Sequence, residues 1–261
     1  MITFKAGQKL KAVDHFLQNR YSGKKDLFGL NIAQLKLWVK LFFPIYRIYF
    51  QVKIENDSLL DPEKTYIVLA NFQNKFPIDA LLLQQALLFN DEGPTFVRPV
   101  FEQMLPAFPF LGKWSSEQGA VYGDKLNVLQ LLEQNESILL IPQLFDREIN
   151  KVEGPYRLKP FCKKIIKVAT ARQLQSVCLL PVYLSGPEHF YFISDRLHFL
   201  FKKIKLGRLS FLSQIFPSPI PVKISIGKAI EINSSHQEMD YIWEVEQSIN
   251  ALNEKKQIHQ S

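Results

Sequence analysis

The sequence is poor in cysteine and histidine and has no long uncharged run. Its two cysteines, Cys162 and Cys178, cannot build a disulfide framework and suit a reducing compartment. The longest stretch free of Asp, Glu, Lys and Arg runs from Gln173 to Pro187. It contains a proline and falls short of the roughly 18 apolar residues of a membrane span, so no transmembrane helix is expected. The N-terminus shows a basic amphipathic stretch where a secretory leader would have an apolar core, which predicts a cytoplasmic chain. Five histidines, His15, His189, His198, His236 and His259, lie singly along the chain, and no metal site is expected. With 47% apolar and 22% charged residues, disorder, collagen and coiled coil are excluded. The 261 residues suffice for one domain with a substantial core, and the 21 phenylalanines hint at an apolar ligand or a greasy surface.

The formal charge of +7 is unevenly distributed. Residues 1–153 are neutral, residues 154–230 carry +11 and residues 231–261 carry −4. From Arg196 to Ile230 there are seven cations and no anion. Such a block predicts a polyanionic partner: a phosphate, an anionic membrane or a nucleic acid.

Residues 1–25 place Phe4, Leu10, Val13, Phe16 and Leu17 at near-helical spacing among lysines. The stretch reads either as a basic amphipathic arm for a membrane surface or as a helix packed on the body. Residues 31–51 form a second, aromatic helical stretch interrupted by Pro44. Beyond it the pattern alternates. Strands are predicted at Tyr66–Ala70, around Val121, at Ser137–Ile141, Val177–Leu184 and Val222–Ile226. Helices are predicted at Ala80–Phe89, Lys125–Asn135 and Lys163–Leu174, and a terminal helix after His236. This alternation predicts an α/β fold whose central, largely parallel sheet is flanked by helices, with an N-terminal helical arm. The expected organisation is an arm at 1–25, an α/β domain at 26–235 and a C-terminal helix and tail at 236–261.

Five short blocks then occur in a fixed order: Asp26-Leu27-Phe28-Gly29-Leu30; Asn71-Phe72 with Pro77-Ile78-Asp79; Pro109-Phe110-Leu111-Gly112 with Gly119 to Lys125; Ile141-Pro142-Gln143-Leu144; and Tyr156-Arg157-Leu158-Lys159. In this order the chain resembles the phospholipid/glycerol acyltransferase family, from about Asp26 to Ile232. The resemblance implies acyl transfer from a thioester, acyl-CoA or acyl-carrier protein, to a glycerolipid hydroxyl, without a resident cofactor. It assigns general base and orienting acid to the positions of Phe72 and Asp79, and acceptor or phosphate binding to Asn71, Lys125, Arg147 and Arg157.

The departures fall on the chemistry. Phe72 stands where the family has histidine, and phenylalanine cannot take a proton; general-base help is worth about 10²–10⁴ in rate. Gln143 replaces a glutamate and removes its charge. Leu144 adds bulk where a glycine lets backbone approach a phosphate. Lys125 replaces arginine and loses the two-pronged grip on phosphate. Asp79 precedes a predicted helix and also suits an N-cap, and Asn71 suits a loop-fixing hydrogen bond to its own backbone. Cys162 reads as an unreactive thiol at a helix start, and Cys178 as core.

The expectation is a catalytically impaired acyltransferase-family protein that retains acyl-chain or lysolipid binding. It would lie peripherally on the inner face of a membrane, with a possible partner enzyme of lipid synthesis. An active acyltransferase with a base supplied from elsewhere is the alternative. Nucleic-acid binding is remote, because Lys202, Lys203, Lys205 and Arg208 are interleaved with aliphatic side chains that suit anionic lipid better than bases.

Overall fold

The computed structural model describes residues 2–23, 26–72, 78–102, 109–142, 155–172, 174, 176–190, 218–233 and 238–258. Among the described residues, eight strands form one sheet: β1 (Lys53–Glu55), β2 (Thr65–Ala70), β3 (Val97–Phe101), β4 (Val121–Tyr122), β5 (Ser137–Ile141), β6 (Val177–Ser185), β7 (Lys223–Ile226) and β8 (Ile230–Glu231). Their order is β1-β7-β6-β2-β5-β3-β4, with β8 also on β6. From β6 to β4 every neighbouring pair is parallel. β7 and β8 run antiparallel to β6, and β1 runs parallel to β7.

The helices are α1 (Ile2–Tyr21), α2 (Ile32–Pro44) continued by a π-helical turn (Ile45–Tyr49), α3 (Ile78–Leu88), α4 (Pro109–Glu117), α5 (Lys125–Glu133), α6 (Pro160–Ala171) and α7 (Glu238–Ile258). Strands read as continuous apolar runs because both faces of the sheet are covered. Tyr66, Val68 and Ala70 of β2 enter a core shared with α1, α2 and α3. Ile67 and Leu69 enter a second core shared with α5, α6 and α7. Leu139 and Ile141 against Ile138 and Leu140 repeat the alternation in β5, as the two-residue period of a strand requires.

α1 is packed on the body. Val13 and Leu17 are buried, each contributing about 1.5–3 kcal/mol by removal from water. Its C-terminal end is tied to the turn before β5: Arg20 donates to the Asn135 carbonyl at 2.6 Å and the Tyr21 hydroxyl donates to Glu136 at 2.5 Å.

The segment between α1 and α2 is held by a buried ion pair that the sequence does not announce. Arg98 of β3 is 1% exposed and meets Asp26 at 2.5 and 3.3 Å. Its Nε donates to the Gly119 carbonyl at 3.0 Å, and its guanidinium lies 5.3 Å from the Phe28 ring. Asp26 also accepts from the Phe28 and Leu30 amides. Burial pushes the Asp26 carboxyl up, but the Arg98 hydrogen bond and charge and the two amides outweigh it and hold it below the usual range.

Two predicted helices shift, and one strand of the sheet was not predicted. The helix expected at Ala80–Phe89 begins at Ile78, so Asp79 lies inside its first turn and does not precede it; the Asp79 carboxylate accepts from the Ala80 amide at 3.0 Å. The helix expected at Lys163–Leu174 starts three residues earlier, because Pro160 at its first turn has no amide to leave unpaired. β3 was not foreseen, since Arg98 and Pro99 interrupt it. Pro99 is opposite Leu139 of β5, and β4 begins only beside Val100, so the outer edge of β3 carries no strand at Pro99 among the described residues.

Candidate functional site

The parallel strands end together, and their carboxyl ends carry the motif residues. Phe101 of β3 is opposite Ile141 of β5 and Tyr122 of β4. Asn71-Phe72 therefore follows β2, Glu102 follows β3, Gly123-Asp124-Lys125 follows β4 and Pro142 follows β5, all at one end of the sheet. In open α/β sheets this end is the binding end.

Asn71 is buried and bonded across the sheet. Its Nδ2 donates to the Leu184 carbonyl at 3.0 Å, and its Oδ1 accepts from the Leu184 amide at 2.6 Å. The side chain thus extends the β2–β6 ladder by one rung after the main chain has left it. Phe72 is half-buried and packs with Ile78 against the core shared by α1, α2 and α3. Asp79 is 2% exposed at the positive end of α3.

The β4 end is tight. Asp124 caps α5 by accepting from the Leu126 amide at 3.1 Å, and Lys125 is exposed on the first turn. The Gly123 amide donates to the Phe101 carbonyl at 2.8 Å. A Cβ at Gly123 would stand 2.5 Å from the Phe161 ring and 2.9 Å from that carbonyl, so no larger residue fits. Cys162, beside Phe161, is fully buried, and burial with the nearby Glu102 charge pushes its thiol up to about 12. The lysines at 163 and 164 do not activate it, and the thiol is inert.

Tyr156 closes this end from the other side. Its hydroxyl donates to the Ala70 carbonyl at 3.1 Å, directly before Asn71. Its own backbone is clasped by Asn250 of α7, whose amide accepts from the Tyr156 N–H at 2.7 Å and donates to its carbonyl at 3.2 Å. Arg157 turns to α7 and meets Glu246 at 2.6 Å, with its side chain 66% exposed. Glu246 also accepts from the Leu158 amide at 3.0 Å, with Lys163 3.5 Å away. Burial raises the Glu246 carboxyl, yet the Arg157 and Leu158 hydrogen bonds and both cations hold it below its usual range.

The fold therefore brings Asn71, Phe72, Asp79 and Lys125 to one end of the sheet and engages Arg157 with α7. Gln143, Arg147, Lys202, Lys203, Lys205 and Arg208 lie outside the described residues. Glu102, Tyr156 and Glu246 were not assigned roles from the sequence. Tyr156 stood inside a motif block, while Glu102 and Glu246 carried no local signal.

A mostly parallel, helix-covered sheet with these blocks at its carboxyl ends is a glycerolipid acyltransferase-like fold. The chain is similar in structure to the 1-acyl-sn-glycerophosphate acyltransferase PlsC from Thermotoga maritima. The TM-score is 0.55 and the identity 17%, over 92% of this chain and 88% of that one. Uncharacterized proteins from Mycobacterium bovis and Mycobacterium tuberculosis are 24% identical over 192 residues, 70% of this chain. The chain spans about half the length of these curated relatives, 52%. No family model matches it. Among the described residues no helix is long and apolar enough to cross a membrane.

Proposed function

We propose that the chain is a glycerolipid acyltransferase-family protein that has lost its general base and keeps an acyl-chain or lysolipid site at a membrane surface. The observation that carries this reading is Phe72 at the carboxyl end of β2, between the buried Asn71 and the helix that bears Asp79. Asn71 and Asp79 keep their places before and after it, and the base position carries a hydrocarbon ring. Gln143 for glutamate supports the same conclusion from the sequence. The peripheral membrane location is supported by the cations Lys202, Lys203, Lys205 and Arg208 among aliphatic residues.

The test uses the purified full chain with acyl-CoA or acyl-carrier protein as donor and lysophosphatidic acid as acceptor. No acyl transfer is expected, while lysophosphatidic acid binds measurably by calorimetry. Turnover that Asp79→Asn abolishes would overturn the reading, because it would reveal a working base.

A further inference from the structure

α6 and α7 cover the same core side by side and carry opposite charge. From Arg157 to Arg172 the chain holds six cations and no acid, and from Glu238 to Glu254 five acids and no cation. Two ion pairs tie the helices together, Lys163 with Glu246 at 3.5 Å and Lys167 with Glu238 at 3.6 Å. The pairs advance along α6 as they retreat along α7, so the helices are antiparallel and Glu244 comes level with Lys164. On the outer side of α7, Met239 and Trp243 are 67 and 61% exposed. They stand four residues apart and are therefore neighbours on the helix surface. Lys164 and Glu244 are both exposed, and neither has an ion-pair partner among the described residues. An exposed tryptophan and methionine within a charged rim have the make-up of a protein interface.

We propose that this face binds a second copy of the chain about a two-fold axis running along the seam between α6 and α7. A closed dimer needs a surface complementary to itself. Rotation about the seam lays α6 of each copy over α7 of the other, so the cationic helix meets the anionic one twice. Lys164 of one copy then faces Glu244 of the other, its aliphatic stem lying over Trp243. A partner of one sign alone would set like charge against half of the face, which disfavours it. The helices are about 18 and 31 Å long and pack about 10 Å apart, a footprint of roughly 500 Å² per copy. That size suits a weak dimer, and its exposed charges make it sensitive to salt. The dimer bears on the candidate site, because Asn250 and Glu246 of the same α7 hold Tyr156 and Leu158. It does not depend on the lipid reading of that site.

Sedimentation equilibrium of the full chain across the micromolar range should show monomer and dimer in exchange, the dimer weakening as salt is raised. Glu244→Lys and Lys164→Glu each set two like-charge pairs in the interface. Each should raise the dimer dissociation constant about tenfold, about threefold for each pair. Mixing the two variants should restore wild-type association, because a mixed dimer carries two opposite-charge pairs. Trp243→Ala should weaken the dimer without reversing any charge. Circular dichroism and the melting temperature, unchanged in all three variants, exclude misfolding. A wild-type chain that stays monomeric throughout overturns the proposal. So does a dimer that both charge variants leave unchanged, or a mixture that associates no better than either variant alone.

Discussion

Replacing Asp26 by alanine leaves the Arg98 guanidinium, 1% exposed, with the Gly119 carbonyl as its remaining hydrogen-bond acceptor among the described residues. The change also removes the acceptor of the Phe28 and Leu30 amides. Removing one partner of a buried pair costs about 3–5 kcal/mol. The Asp26 side chain is 15% exposed, so water reaches this side of the pair and the lower figure, about 3 kcal/mol, applies. In a chain of this size about 3 kcal/mol corresponds to a fall of roughly 6–12 °C in Tm. Urea unfolding followed by tryptophan fluorescence should show the midpoint lowered with an unchanged m-value. Asp26→Ala/Arg98→Met should be more stable than Asp26→Ala alone, because the orphaned charge is then gone and an apolar side chain fills its place. A single variant within about 0.5 kcal/mol of wild type, the range of ordinary surface changes, would refute the claim that this pair locks the N-terminal segment to the sheet.

Asp26 and Glu246 are both held below their ordinary range by their partners. Their contribution to stability is present above the unfolded carboxyl values of about 4 and is lost as pH falls through the folded values. The urea midpoint should drop below roughly pH 4, and Asp26→Asn/Glu246→Gln should flatten that drop. Asn71→Ala removes both rungs to Leu184 and should cost about 2–3 kcal/mol by the same unfolding assay, as expected when buried backbone groups lose their partners. Gly123→Ala drives a methyl group into Phe161 and should cost about 1–3 kcal/mol, with Phe161→Leu in the same chain restoring part of the loss in midpoint.

What the sequence disclosed followed from periodicity and order. β2, β5 and β6 were legible because strands buried on both faces read as unbroken apolar runs, and Ser137–Ile141 appears at its predicted bounds. β3 was hidden because a buried cation and a proline look like a loop until the partner strand and Asp26 are known. The site end was legible through block order: Asn71 follows β2, Asp79 lies in the first turn of α3 and Lys125 opens α5 after β4. The supporting contacts were not, since Glu246 and Asn250 reach Leu158 and Tyr156 from 88 and 94 residues away. No local pattern encodes a contact at that separation. The same limit applied to Asn71, whose residue type suggested a local turn while its partner lies 113 residues on.

The rung that Asn71 adds to β6 separates two demands usually fused in one loop. The strand end is pinned by an amide that takes no part in proton transfer, and the helix start is set by Asp79 at its own first turn. Position 72 lies between these anchors and answers to neither, needing only to lie against an apolar wall. A chain built this way can exchange the reactive side chain for an inert one without redrawing its backbone. On the reading proposed above, loss of chemistry and loss of architecture are independent events, and position 72 stays open to a reactive side chain.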